Sequence, residues 1–132
     1  MRVGEEVVLE CPVGTLRTVY PFLMAKAEDK TVLNVGAAGN ASVYLPDRSH
    51  LWLHTQLIDT ADDVIGLDID PEEIGNAAEH GILIEEGNCE DAELGRLFDL
   101  IVMLEVIEHV DNLGAAIHNL LDHLNSGGGN WL

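Results

Sequence analysis

Residues 32–40, VLNVGAAGN, decide the fold: a short branched apolar run breaks off at a turn of small residues and leads into a candidate helix. An apolar run this short, bounded by turn signals, reads as a strand buried on both faces, here Thr31–Val35. Gly36–Asn40 is then the loop leaving its carboxyl end. Gly36 and Gly39 let backbone approach a ligand and can offer N–H groups at a helix start, although the same turn serves equally well as a bare tight connection.

Downstream, the pattern repeats. Val64–Asp68 reads as a second strand, and Pro71 stands where the first turn of a helix over 71–80 belongs. Ile82–Glu86 reads as a third, partly acidic strand and 91–96 as a weak helix. Asp99–Leu104, the most apolar run, fits a central fourth strand. Between the first two strands, Ser42 can cap a helix that Pro46 and Asp47 interrupt. The firmer helix there is Ser49–Asp59, with Leu51, Leu53, Leu57 and Ile58 on its apolar side. Asn112 is placed to cap a helix whose Leu113, Ala116, Ile117, Leu120, Leu121 and Leu124 recur at helical spacing, and Ser126 with the glycines at 127–129 stops it.

Upstream, Leu16, Val19, Tyr20, Leu23, Met24 and Ala27 predict an amphipathic helix over Gly14–Glu28, with Pro21 either inside it or at its start. Residues 7–9 are a short strand or arm. Strands alternating with helices imply a doubly wound α/β domain with a mostly parallel, Rossmann-like sheet and right-handed crossovers. We read residues 1–132 as one domain, 1–30 being an arm and helix and 31–132 a cofactor-binding core. The chain ends at Asn130-Trp131-Leu132, where a fifth strand is expected to begin. The sheet is therefore expected to be incomplete on its C-terminal side, with a second copy of the chain as a candidate cover for the open edge.

Twenty-four acids against six Lys plus Arg give a net charge of −18, extreme for a domain whose hydrophobic fraction is an ordinary 47%. Such a charge opposes compaction and repels phosphate backbones, which disfavours nucleic acid as a partner. At about 1 M salt the screening length falls to about 3 Å, so a surface this acidic suits high salt. The expectation is a salt-adapted protein of the haloarchaeal type. No apolar run approaches the roughly 20 residues needed to span a bilayer, and the first ten residues lack the order of a signal peptide, so a cytoplasmic protein without a membrane segment is expected. Cys11 and Cys89 have no CxxC spacing and read as two free thiols.

In an open parallel sheet, ligands bind at the carboxyl ends of the strands, where the topology reverses. The Gly36–Asn40 loop, the acids after the second strand and those after the fourth all lie at such ends. Asp68 stands where a carboxylate can take both hydroxyls of a ribose, while Asp70, two residues on, suits either the ligand or the cap of the Pro71 helix. A dinucleotide oxidoreductase is disfavoured, because Gly36–Gly39 is not GxGxxG and Asp68 follows Gly36 by 32 residues, against about 20 in that fingerprint.

Taken together, VLNVGAAGN, VIGLDIDPEEI at 64–74, EEGNCED at 85–91, FDLIVMLEVIEHV at 98–110 and HLNSGGG at 123–129 resemble the successive motifs of class I S-adenosylmethionine-dependent methyltransferases. The likeness runs from about residue 30 onward and is closest to the branch that includes ubiquinone-biosynthesis-type O-methyltransferases. It implies that Gly36, Ala37, Ala38 and Gly39 line the methionine part of S-adenosyl-L-methionine. It further implies that Asp68 holds the ribose, Ile69 packs on the adenine, Asn88 and Cys89 approach its edge, and Leu104 with Glu105 closes the methionine side. The chain departs from the family where Asn34 replaces an acid, where Ala38 and Asn40 replace glycines, and where Asn88 replaces a common Asp.

Glu105, Glu108 and His109 form ExxEH. On a helical turn these positions share a face, a spacing that suits a divalent ion, and similar segments hold metal in some related enzymes. The alternative is that Glu108 and His109 are structural or line an acceptor pocket without metal. His109 is the candidate general base if the acceptor must lose a proton. His50 and His54 lack a third ligand and read as surface or packing residues, His80, His118 and His123 as structural, and Trp52 as core or interface. The resulting expectation is methyl transfer to a small-molecule hydroxyl, the alternative being a truncated, non-catalytic cofactor-binding or interaction module.

Overall fold

The computed structural model describes residues 8–9, 16–104, 109–125 and 130–131. Its elements, in chain order, are β1 (Val8–Leu9), α1 (Leu16–Ala27), β2 (Thr31–Val35), α2 (Ala41–Tyr44), α3 (Leu53–Thr60), β3 (Asp63–Asp68), α4 (Pro71–Ala78), β4 (Glu85–Glu86), β5 (Leu100–Met103), α5 (Leu113–Leu121) and β6 (Asn130–Trp131). They build one sheet in the order β1-β6-β5-β2-β3-β4, every pairing parallel. The expected doubly wound α/β architecture is what the chain adopts.

β2 is central, with Asn34 opposite Gly66 of β3 on one side and Val102 of β5 on the other. Successive side chains on a strand point to opposite faces, and the branched apolar runs fill both. Val32, Leu100 and Val102 pack with Val19, Leu23 and Ala27 of α1 and Leu57 of α3. Leu33, Val35, Ile101 and Met103 pack on the other face with Phe98, Leu124 and the Ala116, Leu120 and Leu121 stripe of α5. Each fully buried Leu or Ile of this kind stabilises by roughly 1.5–3 kcal/mol.

Helix ends follow the local chemistry. The Asp70 carboxylate accepts from the N–H groups of Glu72 and Glu73 at 3.0 and 3.4 Å, so Asp70 caps α4 and Pro71 opens it. Asn112 caps α5 by accepting from Ala115 N–H at 3.0 Å. Pro21 lies inside α1, beyond its first turn.

Three expectations need correction. The helix expected over Ser49–Asp59 is broken at Trp52, whose extended backbone separates a short 3-10 turn at Ser49–Leu51 from α3. The strand expected over Ile82–Glu86 shrinks to β4, because Ile82 and Ile84 turn inward to pack with Ile74 and Ala77 of α4. No helix forms over 91–96. There the side chain of Asn119 donates to the carbonyls of Cys89 and Ala92, His123 accepts from Leu94 N–H, and Gly95 takes a positive φ of 69°, so the Ala92 carbonyl and the Leu94 N–H are met from outside the segment. Beside β6, β1 pairs in parallel, with Val8 opposite Asn130 and Leu9 opposite Trp131. At the other edge Glu85 and Glu86 are exposed, and charge there discourages strand addition.

Candidate functional site

The carboxyl ends of β2, β3 and β5 open into a cleft of about 670 Å³. Its wall brings together segments far apart in sequence: Gly36, Ala37, Gly39 and Asn40 after β2, Asp68 to Asp70 after β3, Asn88 and Cys89 after β4, and Leu104 and His109 after β5. Tyr20, Tyr44 and Trp52 add aromatic surface.

The loop after β2 is a closed hydrogen-bonded turn. Gly36 and Ala37 donate to the carbonyl of Leu67 at 2.8 and 3.2 Å, Ala38 donates to the Asp68 carboxylate at 2.9 Å, and Gly39 donates back to the Gly36 carbonyl at 3.2 Å. The turn needs a φ of 80° at Gly36, the left-handed region that glycine enters without strain. The sequence suggested N–H groups offered to a ligand at a helix start. Instead all four are spent within the protein, and α2 behind them is four residues long. What the loop gives the cleft is close, flat backbone, with Ala38 fully buried behind it.

Asp68 is half-buried and engaged on both oxygens, by Ala38 N–H at 2.9 Å and Asp70 N–H at 3.0 Å. A carboxylate has about four lone-pair sites, so two acceptor positions remain. Ile69 is 65% exposed despite its large apolar side chain, which leaves a hydrophobic platform on the cleft wall. Asn88 accepts from Glu90 N–H at 2.9 Å, so one lone pair of its carbonyl oxygen is already committed. Cys89 is buried, and that burial, followed by the charge of Glu90, pushes its thiol up. Leu104 is half-buried and His109 exposed at the rim. Glu105, Glu108, Cys11 and the glycines at 127–129 lie outside the described residues. Among the described residues no group of three or more His, Cys, Asp and Glu side chains converges as a metal site would require.

Beneath the loop lies a feature that sequence reasoning missed. Asn34 and His54, 3% and 2% exposed, meet at 3.1 Å between Nδ2 and Nδ1, and burial lowers the His54 pKa to about 4. The imidazole reaches this position because Gly66 has no side chain. A Cβ there would stand 2.8 Å from both the Ala37 Cβ and the His54 Cε1. Trp52 packs edge-on to His54 with ring centroids 5.5 Å apart, and its indole N–H donates to the Gly39 carbonyl at 3.0 Å. A glycine inside a strand pattern was the available signal, since it marks close approach by another group.

Three comparisons bear on this site. A family model described as a methyltransferase domain matches residues 14–130. The ubiquinone biosynthesis O-methyltransferase of Rickettsia canadensis is 37% identical over 54 residues, a match covering 39% of this chain and 23% of that protein. The sugar N-methyltransferase KedS8 of Streptoalloteichus superposes with a TM-score of 0.63 at 18% identity, covering 97% of this chain and 57% of KedS8. CalS10, an amino pentose methyltransferase of Micromonospora echinaspora solved with S-adenosylmethionine bound, gives 0.63 at 16% identity, covering 85% of this chain and 48% of CalS10. At these identities the structures speak for the fold, and the chain spans about half the length of each.

Proposed function

The chain belongs to the methyltransferase domain family, in its class I S-adenosylmethionine-dependent form, and from that membership we propose that its cleft binds S-adenosyl-L-methionine for methyl transfer to a small-molecule hydroxyl. The observation that carries the reading is the meeting of the Gly36–Asn40 loop, Asp68, Ile69 and Asn88 on one wall, although the sequence scatters them over some fifty residues.

The residues present fit that cofactor. Asp68 keeps acceptor positions for the two ribose hydroxyls, and the exposed Ile69 side chain offers an apolar face to the adenine. The carbonyl oxygen of Asn88 has a second lone pair for the adenine edge, beside Cys89. Gly36, Ala37, Gly39 and Leu104, which border the cleft, suit the methionine part, with the buried Ala38 behind them, and the family resemblance places Glu105 with the same group. When bound, the sulfonium supplies an activated methyl group for in-line displacement, a reaction in which most of the acceleration can come from holding the two partners in near-attack geometry. The chain contributes that positioning, and the apolar wall of Leu53, Leu67 and Val110 helps keep water from the cleft. His109, at the rim, takes the proton from the acceptor hydroxyl.

Calorimetry in molar KCl with S-adenosylmethionine, S-adenosylhomocysteine and NAD tests the reading. The two sulfur compounds are expected to bind and NAD to fail; NAD binding without the sulfonium would sink it. A methyl-release assay on hydroxylated acceptors then separates an enzyme from a module that binds without turnover.

The net charge of −18 leads us to infer that the protein works at high salt. Its thermal midpoint is expected to climb steeply between 0.1 and about 2 M KCl as screening relieves self-repulsion. Full stability in dilute buffer would count against salt adaptation.

A further inference from the structure

We propose that Trp52 is a positioning residue for the cofactor loop, held in place by His54 and Asn34. The inference rests on the reading of the cleft as the S-adenosylmethionine site.

The loop's N–H groups are tied to β3 through the Leu67 carbonyl and the Asp68 carboxylate. That fixes its near side. Its far side, the Gly39 carbonyl, receives the Trp52 indole N–H at 3.0 Å. Trp52 is 2% exposed although it borders the cleft, and its extended backbone lets the indole reach back toward the loop from the break that precedes α3. The angle of the indole is set by the His54 ring, 63° from it in an edge-on contact. His54 is fixed in turn by Asn34 of β2 and by the space above Gly66. Rotating any member of the stack would unseat the next, and the loop that lines the cleft is the last member.

A tryptophan buried beside a turn could equally be filler, and the two roles give different results. In Trp52→Phe most of the ring volume stays and the N–H goes. The dissociation constant for S-adenosylhomocysteine is expected to rise about three- to tenfold, the effect of one lost hydrogen bond. Amide hydrogen exchange at Gly39 and Ala41 should quicken while that of α5 stays unchanged. If affinity and loop exchange both match the wild type and only the thermal midpoint falls, Trp52 is packing and the proposal is overturned.

Exchange is read without ligand, which separates this inference from the one beneath it. Should the wild-type chain bind no sulfonium, the cofactor reading fails, while faster exchange confined to Gly39 and Ala41 would still establish the latch and unchanged exchange would still remove it. His54→Gln is the second variant if Trp52→Phe does not fold. It keeps an amide opposite Asn34, removes the ring edge, and is expected to change the same two readouts in the same direction.

Discussion

Brought from pH 7 to pH 4, the protein is expected to lose about 3 kcal/mol of folding stability through His54 alone, the equivalent of a fall from the ordinary 6.5 to about 4. The cause is burial: the ring is 2% exposed, and removing it from water penalises the imidazolium. Above pH 6.5 the ring is neutral in both the folded and the unfolded chain, so the stability is fully present. Between 6.5 and about 4 the unfolded chain takes up a proton that the folded one refuses, and stability falls by about 1.4 kcal/mol per pH unit. Below about 4 both forms are protonated and the His54 contribution stops changing.

Asp99 acts in the same direction at lower pH. Burial pushes its carboxyl up, but hydrogen bonds from Thr31 and Asn125 outweigh that and leave it below the usual carboxylate range. The stability it supplies is present above the ordinary carboxylate pKa and is lost as pH falls through its lowered value. Urea unfolding at half-unit pH steps in constant molar KCl isolates the histidine when wild type is compared with His54→Gln, since the remaining carboxylates titrate in both. Parallel curves for the two proteins between pH 6.5 and 4 would mean that His54 is not held neutral in the fold.

Asp68→Ala is expected to weaken binding of S-adenosylhomocysteine by about 1.5–3 kcal/mol, roughly ten- to 150-fold, as for other hydrogen bonds to a charged group. The carboxylate has two tasks. One oxygen fastens the loop at Ala38 and the other accepts from Asp70 N–H, and the remaining lone pairs are those assigned to the ribose. Asp68→Asn separates the tasks, because an amide keeps one acceptor oxygen but cannot accept at both ends. Its affinity is expected to lie between those of wild type and Asp68→Ala. Calorimetry on all three proteins reads the difference, and wild-type affinity in Asp68→Ala would remove this residue from the site.

Much of the framework was legible in the chain. Thr31–Val35 is a strand with the predicted bounds, and β3, α4, β5 and α5 lie within a few residues of expectation, because buried parallel strands are short apolar runs and their helices carry caps such as Asp70 and Asn112. The ambiguity over Asp70 could be resolved only in the structure, where its carboxylate is found on two helix N–H groups. The pieces that misled are those whose backbone partners come from far along the chain. Residues 91–96 read as a weak helix because nothing local reveals that Asn119 and His123 will supply their hydrogen bonds.

By itself, then, the sequence determined the alternation of elements, the parallel sheet, the sites of the turns and the carboxyl-end position of Asp68, all of which follow from local periodicity and local capping chemistry. The tertiary structure alone decided that the loop at 36–39 spends its N–H groups within the protein, three of them on β3, that β1 pairs beside β6, and that Trp52 and His54 stand behind the loop. These depend on which residues meet across the sheet. A histidine is a surface residue or a neutral core residue according to whether a glycine such as Gly66 leaves room for it on a neighbouring strand, and the local pattern around His54 does not reveal that the two will meet.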